Sequence, residues 1–431
     1  GGARDAAAPV IAEGAVAIVG AERAAVGPAE EIAERYPGGR VVDAGGGWIL
    51  PGLINAHTHA PMTLFRGLAD DLPLMTWLEE VIFPAEAEWV DEEFVRWGTR
   101  LACWEMIRGG VTTFVDMYYY EDAIAEEAEA CGLRAVLGET LIDFPAPDHP
   151  TWEEAVAYTR SFLARWRDHP RVTPAVAPHS VYTVSEPHLR QAAALAAEYD
   201  APLLIHLAED AAEVERTVAA TGRRPVEWAD ALGILGPGVI AAHMVWPDPG
   251  EIELLARRGV GVVHCPQSNM KVAAGAAPVA ALLAAGVPVG LGTDGAASNN
   301  DLDLWQEIDT AAKLAKLVLR DPTALDARRA LSLATSEGAR AIGLGERIGS
   351  LEPGKRADLI VVERGAPHLT PEFDPYSALV YSARADDVST VLVDGRVLME
   401  RRRLTELDPA PIVAAVERIR RRLSGAGPGS G

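Results

Sequence analysis

The chain has ten histidines among 431 residues, and His57 and His59 stand two apart at the end of the apolar run "WILPGLINAHTH" (48–59). In an extended strand, residues i and i+2 share a face, so the two imidazoles aim together. Such a pair alone is a weak signal and fits buried or surface histidines as well as metal ligands. Three later apolar runs end in the same chemistry. "LLIHLAED" brings His206 and, three residues on, Glu209; "AAHMVW" brings His243; "VGLGTDGAASNN" brings Asp294. Imidazole and carboxylate suit Zn²⁺ and similar divalent ions, with water filling a remaining position. Taken singly, each is an ordinary satisfied core polar group. Their repeated placement at strand ends is what that reading fails to explain.

These residues sit on a regular scaffold. Short β-rich runs alternate with Ala/Glu/Arg-rich helical stretches, the pattern of βα units on a parallel sheet. Eight runs are expected as strands: 48–59, 111–117, 134–140, 172–180, 202–209, 239–245, 259–268 and 287–295. Eight units in roughly 250 residues match a (β/α)8 TIM barrel, whose active sites lie at the C-terminal strand ends. An open doubly wound sheet seldom runs to eight such units. The flanking pieces 14–20, 40–45, 354–363 and 388–400 read as strands of a small β-sandwich domain built from both chain ends, the last with a DG hairpin turn. The expected domains are 1–50 (sandwich, first part), 51–346 (barrel), 347–405 (sandwich, second part) and 406–431 (a terminal helix and flexible tail). The connection 60–90 is unusually long and carries Trp77 and Glu86; long loops at a barrel mouth are commonly functional.

The net charge of −23 argues against nucleic acid or an anionic membrane as partner. No apolar run has the ~18 residues that suggest a membrane span. The opening "GGARDAAAPV" has neither the basic start nor the apolar stretch of a secretory signal. Cys103, Cys131 and Cys265 are widely spaced, with no CxxC pair, which suits a reducing cytoplasm.

The ordered segments "PGLINAHTH", "HLAED", "AAHMVW" and "GTDGAASNNDLDLW" resemble the amidohydrolase superfamily, and within it the deaminases of 5'-methylthioadenosine, S-adenosylhomocysteine and adenosine. The resemblance spans roughly residues 40–363. It implies one divalent cation per subunit, most simply Zn²⁺ with Fe²⁺ or Mn²⁺ as alternatives, held by His57, His59, His206 and Asp294. It further implies hydrolytic removal of the 6-amino group of an adenine nucleoside, with Glu209, His243 and Asp294 as catalytic groups. Glu209 would protonate the ring nitrogen. Trp77, Glu86 and His179 match substrate-contacting positions, Glu86 suiting a ribose diol. Related enzymes are commonly dimers or tetramers, so a homo-oligomer is expected.

Lysine occurs only at 271, 313, 316 and 355, too late for the carboxylated lysine by which binuclear amidohydrolases bridge two metals. The segment after the third strand, "GETLIDFPAPDHP", lacks the arginines with which some relatives hold a homocysteine carboxylate. That favours 5'-methylthioadenosine or adenosine over S-adenosylhomocysteine. Deamination of guanine or another free base and triazine dechlorination are alternatives on the same scaffold; a barrel kept only for binding would require a lost ligand set. His264 and Cys265 are expected in the pocket wall, Ser268 or Asn269 near substrate, Ser298 as a helix cap, and His149 on the surface.

Overall fold

A computed structural model describes residues 10–425. Its centre is an eight-stranded parallel sheet in chain order: Leu53–Thr58, Val111–Tyr118, Arg134–Leu141, Val172–Pro178, Leu203–Leu207, Val239–His243, Gly261–His264 and Val289–Leu291. Helices cover it, beginning with Glu92–Gly109, Glu121–Cys131, Trp152–Trp166 and Glu186–Tyr199. Ile54, Val115, Val136, Leu204, Ile240 and Val263 fill the interior, with Ile342 and Ile348 packed into the same cluster. The alternate residues, among them Phe114, Leu137, Val176 and Ile205, belong to the larger core shared with the helices. This is a (β/α)8 barrel.

No ladder joins the first and eighth strands. Side chains and a single backbone contact stitch that seam instead. Asn55 Nδ2 donates to Thr293 Oγ1 at 2.8 Å, Thr293 N–H donates to Asn55 Oδ1 at 3.0 Å, and Asp294 N–H donates to the His57 carbonyl at 3.0 Å. The closure of the barrel therefore holds His57 and Asp294 side by side.

The run 48–59 is two strands rather than one. Trp48–Pro51 pairs antiparallel with Leu359–Val362, whereas Leu53–Thr58 pairs parallel with Val111–Tyr118. The change occurs at Gly52: its N–H donates to Asp358, and the next N–H, of Leu53, to Gly110. A Cβ at Gly52 would lie 2.1 Å from Thr112 Oγ1, so a larger residue has no room at the crossing.

Trp48–Pro51 is one edge of a five-stranded antiparallel sheet with Leu359–Val362, Val388–Val393, Arg396–Glu400 and Arg403–Leu404. Both sides of the barrel segment thus contribute to it, and Asp394 and Gly395 (φ 50° and 75°) make the expected tight turn. Gly14–Val19 and Glu22–Pro28 form a separate hairpin. Residues 40–45 are not a strand, and Val41 is exposed. The connection 60–90 is largely helical: Ala60–Phe65, Leu74–Thr76, a π-helical Trp77–Ile82 and Phe83–Trp89. Two short helices, Ala327–Leu333 and Ser336–Ala341, follow the eighth strand's long helix Leu304–Leu319. The terminal helix is Pro409–Gly425; residues 426–431, where the flexible tail is expected, and the opening 1–9 lie outside the described residues. Among the described residues no helix is long and apolar enough to cross a membrane.

Candidate active site

Strand geometry alone would not aim His57 inward, because Ile54 and Ala56 already point into the barrel. The ladder slips between Asn55 and Thr58, which oppose Phe114 and Asp116. This bulge adds one residue to the first strand and re-aims everything after it. Thr58 turns outward, its hydroxyl donating to Asp116 Oδ1 at 2.5 Å, and the Ala60 N–H reaches the same oxygen at 2.6 Å. His57 and His59 then face the mouth together, their ring centroids 4.9 Å apart.

His206 follows ordinary alternation from Leu204. Its backbone N–H donates to the His179 carbonyl at 3.0 Å, and its Nδ1 lies 2.8 Å from the same oxygen. His59 is held likewise, with Nδ1 2.6 Å from the Met117 carbonyl. In both rings the outer nitrogen is occupied, leaving Nε2 to face inward, the arrangement by which a carbonyl orients a metal-binding imidazole. His243 and Asp294 reach the site through left-handed backbone, with φ of 72° and 63°. Such residues are strained and cluster at functional sites.

The side chains converge. Ligand atoms of His57, His59 and Asp294 lie within 4.8 Å of one another, and so do those of His57, His206 and His243. Asp294 Oδ1 is 3.2 Å from His59 Nε2 and 3.4 Å from His57 Nε2, while the buried His57 Nε2 has no hydrogen-bond partner. A buried polar nitrogen is costly to leave bare, and the other ligand atoms of the cluster gather around this one. The donor set fits a divalent cation. His243 stands near enough to belong to that set, although its Nδ1 is fixed at 2.9 Å from Asn269 Oδ1 and its Nε2 lies 3.8 Å from Glu209 Oε1.

The local field is strongly structured. Burial lowers the His57 pKa to about 4 and that of His206 well below its ordinary value. At His59 burial also acts downward, but the carboxylates of Asp294 and Asp116 outweigh it and raise the pKa to about 9. At Asp294 burial raises the pKa, yet His57 and His59 bring it well below the usual carboxylate range. His57 and His206 are thereby favoured as neutral imidazoles and Asp294 as the carboxylate, the forms in which these groups ligate a cation. Glu209 differs: burial raises its pKa, favouring the protonated acid. Burial also lifts Glu86 to about 7 against the opposing pull of Tyr118.

A cavity opens above the cluster, bounded by His59, Trp77, Glu86, His179, His206, Glu209, His243 and Asp294, with Leu74, Phe83, Tyr119 and Tyr182 among the apolar and aromatic walls. That lining, aromatic walls with a few convergent polar groups, suits a small organic ligand. Trp77 and Glu86 come from the helical 74–89 segment, which roofs the mouth. His179 is anchored by Nδ1 at 2.9 Å from Thr183 Oγ1.

Several supporting roles escape sequence reasoning. Ser268 and Ser298 hydroxyls approach Asp294 Oδ2 at 2.7 and 2.8 Å. Ser298 thus serves the site; the following helix is capped by Asp303. Glu213 accepts the backbone N–H groups of Ala208 and Glu209 at 2.9 and 2.6 Å, fixing the turn that presents Glu209. The Asp210…Glu213 helix-start spacing signals that role. Asp116 has no comparable sequence signal. His264 is not in the pocket wall: Val263 and Cys265 face the barrel interior, so His264 points to the helix layer.

Residues 48–398 match the amidohydrolase family. A relative from Syntrophobacter fumaroxidans, a 5-methylthioadenosine/S-adenosylhomocysteine deaminase, is 53% identical over 408 residues, covering 95% of this chain and 93% of that protein. An adenosine deaminase from Xanthomonas campestris, solved with bound zinc, superposes with a TM-score of 0.94 at 43% identity, covering 96% of this chain and 94% of the other. A zinc-complexed atrazine chlorohydrolase from Arthrobacter aurescens gives a TM-score of 0.88 at 26% identity, with 94% of each chain covered.

Proposed function

The chain belongs to the amidohydrolase family, and from that premise we propose that it deaminates an adenine nucleoside, releasing ammonia from C6 and leaving the inosine analogue. The observation that carries this reading is Glu209: a buried carboxyl, its pKa raised by burial, beside a His/Asp cluster suited to a cation. Addition of water to an aromatic C–NH2 carbon needs a proton on the neighbouring ring nitrogen, and Glu209 supplies it.

His57, His59, His206 and Asp294 would hold a divalent ion, Zn²⁺ as the leading choice, which would lower the pKa of water towards neutrality. Asp294 accepts the water's proton on its carboxylate and later returns it to the departing amine. Ser268 and Ser298, at Oδ2, keep that carboxylate from rotating. His243, tethered by Asn269, orients the attacking oxygen. Glu86 accepts from the ribose hydroxyls, His179 donates to the nucleoside, and Trp77 packs on it while the 74–89 segment excludes bulk water. Proton-transfer steps of this kind are each worth roughly 10²–10⁴-fold.

Among nucleosides, 5'-methylthioadenosine and adenosine are preferred, because residues 142–151 bring no arginine to the mouth. The three cysteines, all buried and unpaired, favour a cytoplasmic setting. A substrate panel tests the assignment: the metal-loaded protein is expected to release ammonia from 5'-methylthioadenosine and adenosine faster than from S-adenosylhomocysteine or guanine. Faster turnover of guanine would replace the nucleoside with a free base.

A further inference from the structure

A second group of metal-ligating side chains lies behind the pocket wall. Thr140 faces the cavity, so Glu139, next along the third barrel strand, faces the helix layer. There it meets Asp148 and His149 from the segment that follows the strand. One ligand atom from each of the three lies within 4.8 Å of the others.

Each carboxylate is held by one oxygen and left bare at the other. The Glu121 N–H donates to Glu139 Oε2 at 3.1 Å, and the Tyr120 N–H, on left-handed backbone (φ 57°), donates to Asp148 Oδ2 at 2.8 Å. Glu139 Oε1, Asp148 Oδ1 and His149 Nε2 are buried without a hydrogen-bond partner, as is Oε2 of the adjacent Glu121. Glu139 and Glu121 are fully buried. Among the described residues neither makes an ion pair, and Asp148 is paired only with His149, at 3.8 Å. Leaving so many polar atoms bare in one interior is costly. Backbone groups that fix one carboxylate oxygen while freeing the other are what a ligand-orienting outer layer looks like.

We propose that Glu139, Asp148 and His149 form a second divalent-cation site, structural rather than catalytic. Two carboxylates and an imidazole suit Zn²⁺ or Mn²⁺ better than Ca²⁺ or Mg²⁺, which favour all-oxygen shells. Burial and the Asp148 charge raise the Glu139 pKa well above the carboxylate range, a cost that a cation would offset. The ion pins residues 142–151 against the start of helix Glu121–Cys131. That segment matters to the pocket, since its Phe144 ring lies 5.0 Å from that of Phe83 in the wall.

The test loads the full-length protein with Zn²⁺, removes free metal and counts bound zinc by mass spectrometry. Two ions per chain are expected, falling to one in His149→Ala, to one in His206→Ala and to none in the double variant. Circular dichroism confirms folding, and anomalous scattering from a zinc-loaded crystal locates the ions if a variant fails to fold. One ion per chain, lost in His206→Ala and kept in His149→Ala, would overturn the second site and leave the first intact. Two ions in both wild type and His149→Ala would overturn it equally.

Discussion

At the scale of residues, what matters is which protonation state each carboxyl is kept in. Asp294 is held as the anion by His57 and His59, while Glu209 is held towards the acid by burial. Two carboxyls in one pocket are therefore pushed towards opposite protonation states, as the proposed acid and base roles require. Replacing Glu209 by Gln keeps size and polarity but removes the transferable proton. The expected result is a kcat lower by roughly 10²–10⁴-fold with bound metal unchanged. Because the acid must be protonated, wild-type activity should also fall as pH rises through the raised Glu209 pKa, and the variant's residual activity should lack that limb. Glu86 gives a separate stability test. Its folded pKa of about 7 exceeds its ordinary 4.5, so the folded state holds the proton more tightly. Stability from this group is present at low pH and is lost as pH rises towards about 7. In Glu86→Gln that loss disappears, so relative to wild type the variant should gain about 2 kcal/mol between pH 5 and pH 8, read by denaturant unfolding.

At the scale of elements, the seam between the first and eighth strands does the positioning. The spacing of His57 and His59, and the placement of His206 and Asp294 at strand ends, were legible in sequence because strand periodicity and barrel architecture are local and repetitive. The bulge at 55–58, the left-handed backbone at His243 and Asp294, and the Asp116 contacts were not, because each depends on a partner strand. Nor was the strand exchange at Gly52, which reads as one continuous apolar run. Gly292 shows how tight the seam is: a Cβ there would stand 2.8 Å from the His57 backbone nitrogen. Gly292→Ala should therefore push the eighth strand off the first. Overpacking of this kind costs about 1–3 kcal/mol, and here it should also weaken metal retention. Thermal melting with and without a chelator checks both effects; an unchanged melt would show that the seam can relax.

At the scale of the whole molecule, the barrel, the five-stranded sheet and the helical roof have distinct tasks. The sheet takes in Trp48–Pro51 immediately before the first barrel strand, so its packing fixes where that strand begins. The roof brings Trp77 and Glu86 over a cavity whose floor is the His/Asp cluster. In the proposed mechanism this cluster holds a cation without which the nucleoside is not attacked. Ammonia release from 5'-methylthioadenosine, measured as chelated protein is titrated with Zn²⁺, tests it most directly. Activity should be absent at the start, return as zinc is added to the wild type, and fail to return in His57→Ala or His206→Ala. Full ammonia release by the chelated, metal-free protein would contradict the account.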